Sequence, residues 1–295
     1  MINLADVEDA ARRIEGRVRR TPLVEVEPGR WFKLEYLQHA GSFKTRGMMN
    51  KILSSTVPAA GVVAASGGNA GLAAAYAARE LGVPAEVFVP VTAPAVKVTK
   101  LAELGAKVVQ AGNEYAEAYA AAQERTDALF VHAYDDPAMV AGNGTTGLEI
   151  SGVSDTVLVA VGGGGLVAGL VAALRDRARI VAVEPVDSQA LHAALKAGKP
   201  IDVRVSGVAA DSLGARRVGD IAFALATDAK IDSILVDDDA IIHARRKLWD
   251  DYRIVVEHGT AAAYAALISG AYRPAPGERV TTLLCGANTN PADLG

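Results

Sequence analysis

TVLVAVGGGGLVAGLVAALRDRARIVAVEP, residues 156–185, decides the fold. A β-branched apolar run stops at four glycines, an apolar segment of helix-forming residues follows over 166–175, and RIVAVEP (179–185) is again strand-like. Neither run alternates polar with apolar residues, so both predict strands buried on two faces, as in a parallel sheet crossed by helices. The same alternation extends outward. Upstream lie GVVAAS (61–66), a helix over 70–81 closed by Gly82-Val83-Pro84, AEVFVP (85–90), a helix over 96–104, AKVVQAG (106–112), a helix over 114–126 and LFVHAY (129–134). Downstream are a helix over 259–269 and a strand, RVTTLLCG (279–286). Strands alternating with helices at this spacing predict an α/β fold of mostly parallel sheets, covered on both faces. Two lobes are expected, a small one over 42–137 and a large one formed by 1–41 with 138–295.

Composition removes several classes of function. Over 295 residues the formal net charge is −4, which offers no electrostatic footprint for nucleic acid or an anionic membrane. The N-terminal MINLADVEDAARRIEGRVRR is charged and helix-like, without the apolar core of a signal segment. No apolar run long enough to span a bilayer is free of glycines and charges. A single cysteine, Cys285, excludes an internal disulfide. These features predict a cytoplasmic protein.

Three loops and one lysine carry chemistry. Gly162-Gly163-Gly164-Gly165 contributes nothing to strand or helix stability, but its amides can converge on a phosphate at a helix N-terminus. A tight packing turn is the plainer alternative. Ser66-Gly67-Gly68-Asn69-Ala70 places a hydroxyl, free amides and a side-chain amide at another helix start, suited to a carboxylate, although Ser and Asn are common helix caps anywhere. Cys285 ends a strand and can face a ligand with a neutral thiol, or be simply a buried cysteine. Lys44 follows Phe43 in GSFKTRG (41–47); a lysine in apolar surroundings loses basicity and becomes a usable amine. A competing reading takes Gly163, Gly165 and Ala168 as G-x-G-x-x-A, with Glu184 as a ribose-binding acid, which would make the chain an NAD-dependent oxidoreductase. That reading leaves the other loops without a purpose.

Taken together, the segments resemble the fold-type II pyridoxal-phosphate enzymes, and within them the serine/threonine dehydratases. Lys33-x-Glu35-x-x-Gln38 and Ser42-Phe43-Lys44-x-Arg46-Gly47 look like that group's cofactor-lysine signature, and Asp135-Asp136-Pro137 and Gly142-Asn143-Gly144-Thr145 like further landmarks, with asparagine at 143 where glutamine is usual. The resemblance implies pyridoxal 5'-phosphate as cofactor, bound as a Schiff base to Lys44 with Phe43 packed on its ring. It implies phosphate contacts from Gly162 to Gly165, Asn69 on the phenolic oxygen and Cys285 on the pyridine nitrogen. Ser66, Gly67, Gly68, Asn69 and Ala70 would hold the substrate carboxylate.

The implied reaction is elimination from L-serine or L-threonine, giving a 2-oxo acid and ammonia, with Lys44 taking the Cα proton. A neutral Cys285 favours prompt loss of the β-substituent over transamination, and Gly67 replaces the serine that acts as a second base in similar racemases. β-Replacement, as in cysteine synthases, is the nearest alternative. Glu184 stands where an acid in relatives can help bind a metal ion, and it is kept as a metal candidate although Ser188 and Ala190 add no carboxylate. A homodimer is the family expectation, and the chain's length leads to the expectation of no appended regulatory domain.

Overall fold

The structure is a computed structural model and describes residues 1–294. In chain order the elements are α1 (Leu4–Ile14), β1 (Leu23–Glu27), β2 (Arg30–Lys33), α2 (Lys44–Leu53), β3 (Val62–Ala65), α3 (Asn69–Leu81), β4 (Ala85–Val89), α4 (Ala95–Glu103), β5 (Lys107–Gln110), α5 (Tyr115–Gln123) and β6 (Leu129–Phe130). They continue as α6 (Pro137–Ile150), β7 (Thr156–Ala160), α7 (Gly165–Leu174), β8 (Arg179–Pro185), α8 (Ala190–Ala197), α9 (Asp220–Ala229), β9 (Asp232–Val236), α10 (Asp238–Tyr252), α11 (His258–Ile268) and β10 (Val280–Leu283).

Two sheets form, a six-stranded one in the order β1-β2-β10-β7-β8-β9 and a four-stranded one in the order β5-β4-β3-β6. Every strand pairing is parallel except the β1–β2 hairpin. The central strands read as apolar because they are covered twice: β3 and β7 are buried along their whole length. Helix α7, apolar on all sides, is buried at every position, as a helix without a polar face must be. LFVHAY pairs over two residues only. Nδ1 of His132 accepts the amides of Tyr134 (3.2 Å) and Asp135 (2.8 Å), and this turn takes the chain out of the sheet.

Two landmark segments prove architectural. Asp136 caps α6 through the amides of Ala138 and Met139, while Asp135 accepts the amides of Asp220 and Ile221 at the start of α9. The glycines of 142–145 let helices touch. A Cβ at Gly142 would lie 2.6 Å from the carbonyl oxygen of Arg46 on α2, and one at Gly144 2.7 Å from that of Gly169 on α7. Asn143, between them, is fully buried.

Candidate active site

The carboxyl ends of β3, β7 and β10 deliver three of the segments singled out in the sequence, the general location of ligand sites in open α/β sheets, and Lys44 opens α2 beside them. Their contacts join them. The amide of Phe43 donates to the carbonyl of Cys285 (3.0 Å), and Ser42 bridges to Gly286. Lys44 Nζ donates to the carbonyl of Ala133 (2.5 Å) and lies 5.2 Å from the centre of the Phe43 ring. Among the described residues no carboxylate pairs with Lys44, and burial pulls its amine down to about 8. Thr260 Oγ1 lies 3.2 Å from Cys285 Sγ, and burial pushes that thiol up to about 12, so it is neutral near pH 7.

The segment that carries Lys44 is anchored by a buried ion network through Arg46. Arg46, further into α2, is 1 % exposed and forks onto Glu35 through Nε (2.8 Å) and Nη2 (2.7 Å). Its Nη1 pairs with Glu149 of α6 at 2.8 Å, and Lys33 of β2 donates to the other oxygen of Glu149 at 2.5 Å. Two cations and two carboxylates balance. Burial alone would raise Glu35, but Arg46 and Lys33 outweigh it and hold its carboxyl below the ordinary range. Lys33 and Glu35 thus anchor the lysine segment, and Gln38 closes its approach by exchanging hydrogen bonds with the backbone of Arg19.

Packing accounts for three of the four glycines in the loop. A Cβ at Gly163 would lie 2.3 Å from the Tyr134 ring, one at Gly165 2.7 Å from the Tyr134 carbonyl, and one at Gly164, with φ +90°, 2.4 Å from Ala222. With Tyr134 and Ala222 that close, the amides of Gly162, Gly163 and Gly164 meet no acceptor among the described residues. In the second loop only Gly71 is sterically forced, 1.9 Å from the Ser66 carbonyl; Gly67 and Gly68 have room for a side chain. Asn69 begins α3 and donates to Glu257 Oε2 at 2.9 Å. Tyr134, Thr260 and Glu257 are site residues that the sequence reading did not pick out. No motif marks them; only the acid of IVVEHG (254–259), placed between an apolar run and a helix start, was a visible signal for Glu257.

A family model described as "Pyridoxal-phosphate dependent enzyme" matches residues 14–286. The chain belongs to this family. The loops fit the family's cofactor chemically, with unpaired amides for a phosphate, a weakly basic lysine for an aldehyde and a neutral thiol beside it. Among curated relatives, the L-threonine ammonia-lyase of Thermotoga maritima is 36% identical, over 98% of this chain and 76% of that protein. Among solved structures, the T.th. threonine deaminase aligns with a TM-score of 0.89 at 33% identity, covering 98% of this chain and 99% of that one. Maize serine racemase gives 0.91 at 29% identity, covering 99% and 95%.

Family membership also displaces the dinucleotide reading, and Glu184 shows why physically. It is fully buried on β8, and its carboxylate accepts the amides of Leu191 (2.8 Å) and His192 (2.7 Å) at the start of α8. Burial drives this carboxyl up to about 8. It is committed to a helix start, so it reaches neither a ribose nor a metal ion. Among the described residues no group of three His, Cys, Asp or Glu side chains is placed to hold a metal.

Proposed function

We propose that the chain is an ammonia-lyase that eliminates water from small β-hydroxy amino acids, L-threonine and L-serine, to give an enamine product whose hydrolysis releases ammonia and leaves the 2-oxo acid. The observation that carries this reading is Lys44, a buried amine without a carboxylate partner among the described residues, set between the glycine loop's wall at Ala133-Tyr134 and the thiol of Cys285. When bound there, pyridoxal phosphate supplies an electron sink for the bond broken at Cα.

The chain's own residues do the rest. Amides of Gly162 to Gly165 would hold the phosphate, Phe43 would back the ring, Asn69 would face the ring oxygen and Cys285 the ring nitrogen. Amides and side chains of Ser66 to Ala70 hold the substrate carboxylate, which orients Cα toward Lys44. The Lys44 amine, neutral above about pH 8, takes the Cα proton as general base. The β-hydroxyl leaves with a proton as water. Cys285 cannot hold a proton on the ring nitrogen as a carboxylate would, which favours elimination over transamination.

Residues 42–137 form the small domain in this reading, and 1–41 with 138–295 the large one. Sheet membership supports this, since β3 to β6 lie in the first and the other strands in the second. A cytoplasmic homodimer completes the proposal. The test is 2-oxo acid release from L- and D-serine, L-threonine and 3-hydroxyaspartate. Turnover of L-threonine or L-serine without sulfide is expected; product only from O-acetylserine plus sulfide would replace elimination with β-replacement.

A further inference from the structure

Glu257 lies just before α11 and is 5% exposed. Its two oxygens have separate neutral partners: Oε1 accepts the amide of Asn288 (3.1 Å), and Oε2 accepts Nδ2 of Asn69 (2.9 Å). Asn69 is gripped from its other end as well. Nδ2 of Asn288 donates to Oδ1 of Asn69 (2.6 Å) and to the carbonyl of Ala40 (2.8 Å), which uses both of its protons. Turning the Asn69 amide over would set its oxygen against a carboxylate oxygen and its NH2 against another NH2. Only one orientation satisfies both neighbours, and it leaves one N–H of Asn69 for a further acceptor.

We propose that Glu257 is a positioning residue: it fixes the Asn69 amide so that the remaining N–H meets the ring oxygen of the bound cofactor, and through that bond it sets the cofactor's electronic state. This deepens the reading above and rests on it for the contact between Asn69 and the ring oxygen. The geometry makes the device depend on charge. A protonated Glu257 can donate to Oδ1 of a turned Asn69, which removes one of the two restraints on the amide and leaves only that from Asn288. Burial pushes the Glu257 carboxyl up to about 7, with Asn69 lowering it and Asp211, from the segment before α9, raising it further. Lys97 of α4 pulls the other way, and the neighbouring Cys285 is neutral. The ionised, orienting form therefore holds above about pH 7 and is lost below it.

The test uses the holoenzyme and its visible absorbance, recorded from pH 5.5 to 9. The wild-type band should change with a midpoint near 7, and Glu257→Gln should abolish that change. The same variant should weaken pyridoxal-phosphate binding to the apoprotein by about tenfold or more, the scale of a lost hydrogen bond to a charged group. In an Asn69→Ala background Glu257→Gln should add almost nothing, because both act on one bond. Asn288→Ala, which frees the opposite end of the amide and leaves Glu257 intact, should keep the pH response while weakening pyridoxal-phosphate binding, and its affinity carries the test if Glu257→Gln does not fold. A pH response and affinity within twofold of wild type in either folded variant, or full additivity with Asn69→Ala, overturns the inference. A wild-type protein that shows no cofactor band with pyridoxal phosphate overturns the underlying reading as well.

Discussion

Replacing Lys44 with methionine should stabilise the apoprotein at neutral pH. The amine sits at about 8 instead of the ordinary 10.5, because burial disfavours its charge. At about 1.4 kcal/mol for each tenfold, that interval makes the charged lysine a burden of about 3 kcal/mol, trimmed to about 2–3 by its partial access to the cleft. The sign follows from proton linkage. Between pH 8 and 10.5 the unfolded chain holds the proton that the folded chain has lost, so wild-type stability rises with pH across this window. Methionine keeps the bulk and removes the charge. Urea unfolding of the two apoproteins should therefore show the variant more stable by about 2–3 kcal/mol at pH 7, with a gap that closes near pH 10.5. A gap that does not change with pH, or a variant weaker at both ends, would refute the claim that Lys44 is a desolvated, unpaired amine.

Arg46→Ala should cost about 3–5 kcal/mol in the same assay, because it strands Glu35 in the interior; a loss under 1 kcal/mol would mean that the network is solvated. Gly163→Ala should lose about 1–3 kcal/mol through its clash with Tyr134, and Tyr134→Ala should restore most of it; no recovery would place the strain elsewhere. Gly67→Ser should keep the wild-type melting temperature, since its Cβ would sit 3.5 Å from Val89 and 3.7 Å from Lys97, and it should begin to interconvert L- and D-serine. Absence of the D-enantiomer in a chiral assay would remove Gly67 as the reason for one-sided proton transfer. The Cys285 thiol, raised to about 12, should alkylate at pH 8 about a thousandfold more slowly in the native apoprotein than in urea, as mass spectrometry can follow.

The parallel sheets were legible because strands buried on both faces are apolar throughout, and RIVAVEP forms a strand over the same seven residues that the pattern marked. LFVHAY was overread, since its hydropathy continues past the point where His132 turns the backbone. The site's loops were legible where unusual backbone demands unusual residues, as at 162–165. What remained hidden was pairing across distance. Lys33, Glu35, Arg46 and Glu149 each look like ordinary surface charges, and only the fold makes them one buried network. Glu257 stayed hidden for the same reason, its two partners being 188 and 31 residues away along the chain. Glu184 misled because an acid at the end of a strand can serve a ribose or a helix start equally well until the fold shows which amides it holds.

Borohydride reduction of the holoprotein, followed by peptide mapping, tests the central claim most directly. The account predicts one stable phosphopyridoxyl adduct, on the peptide carrying Lys44, with loss of the visible band. An adduct on any other lysine, or none, would contradict it.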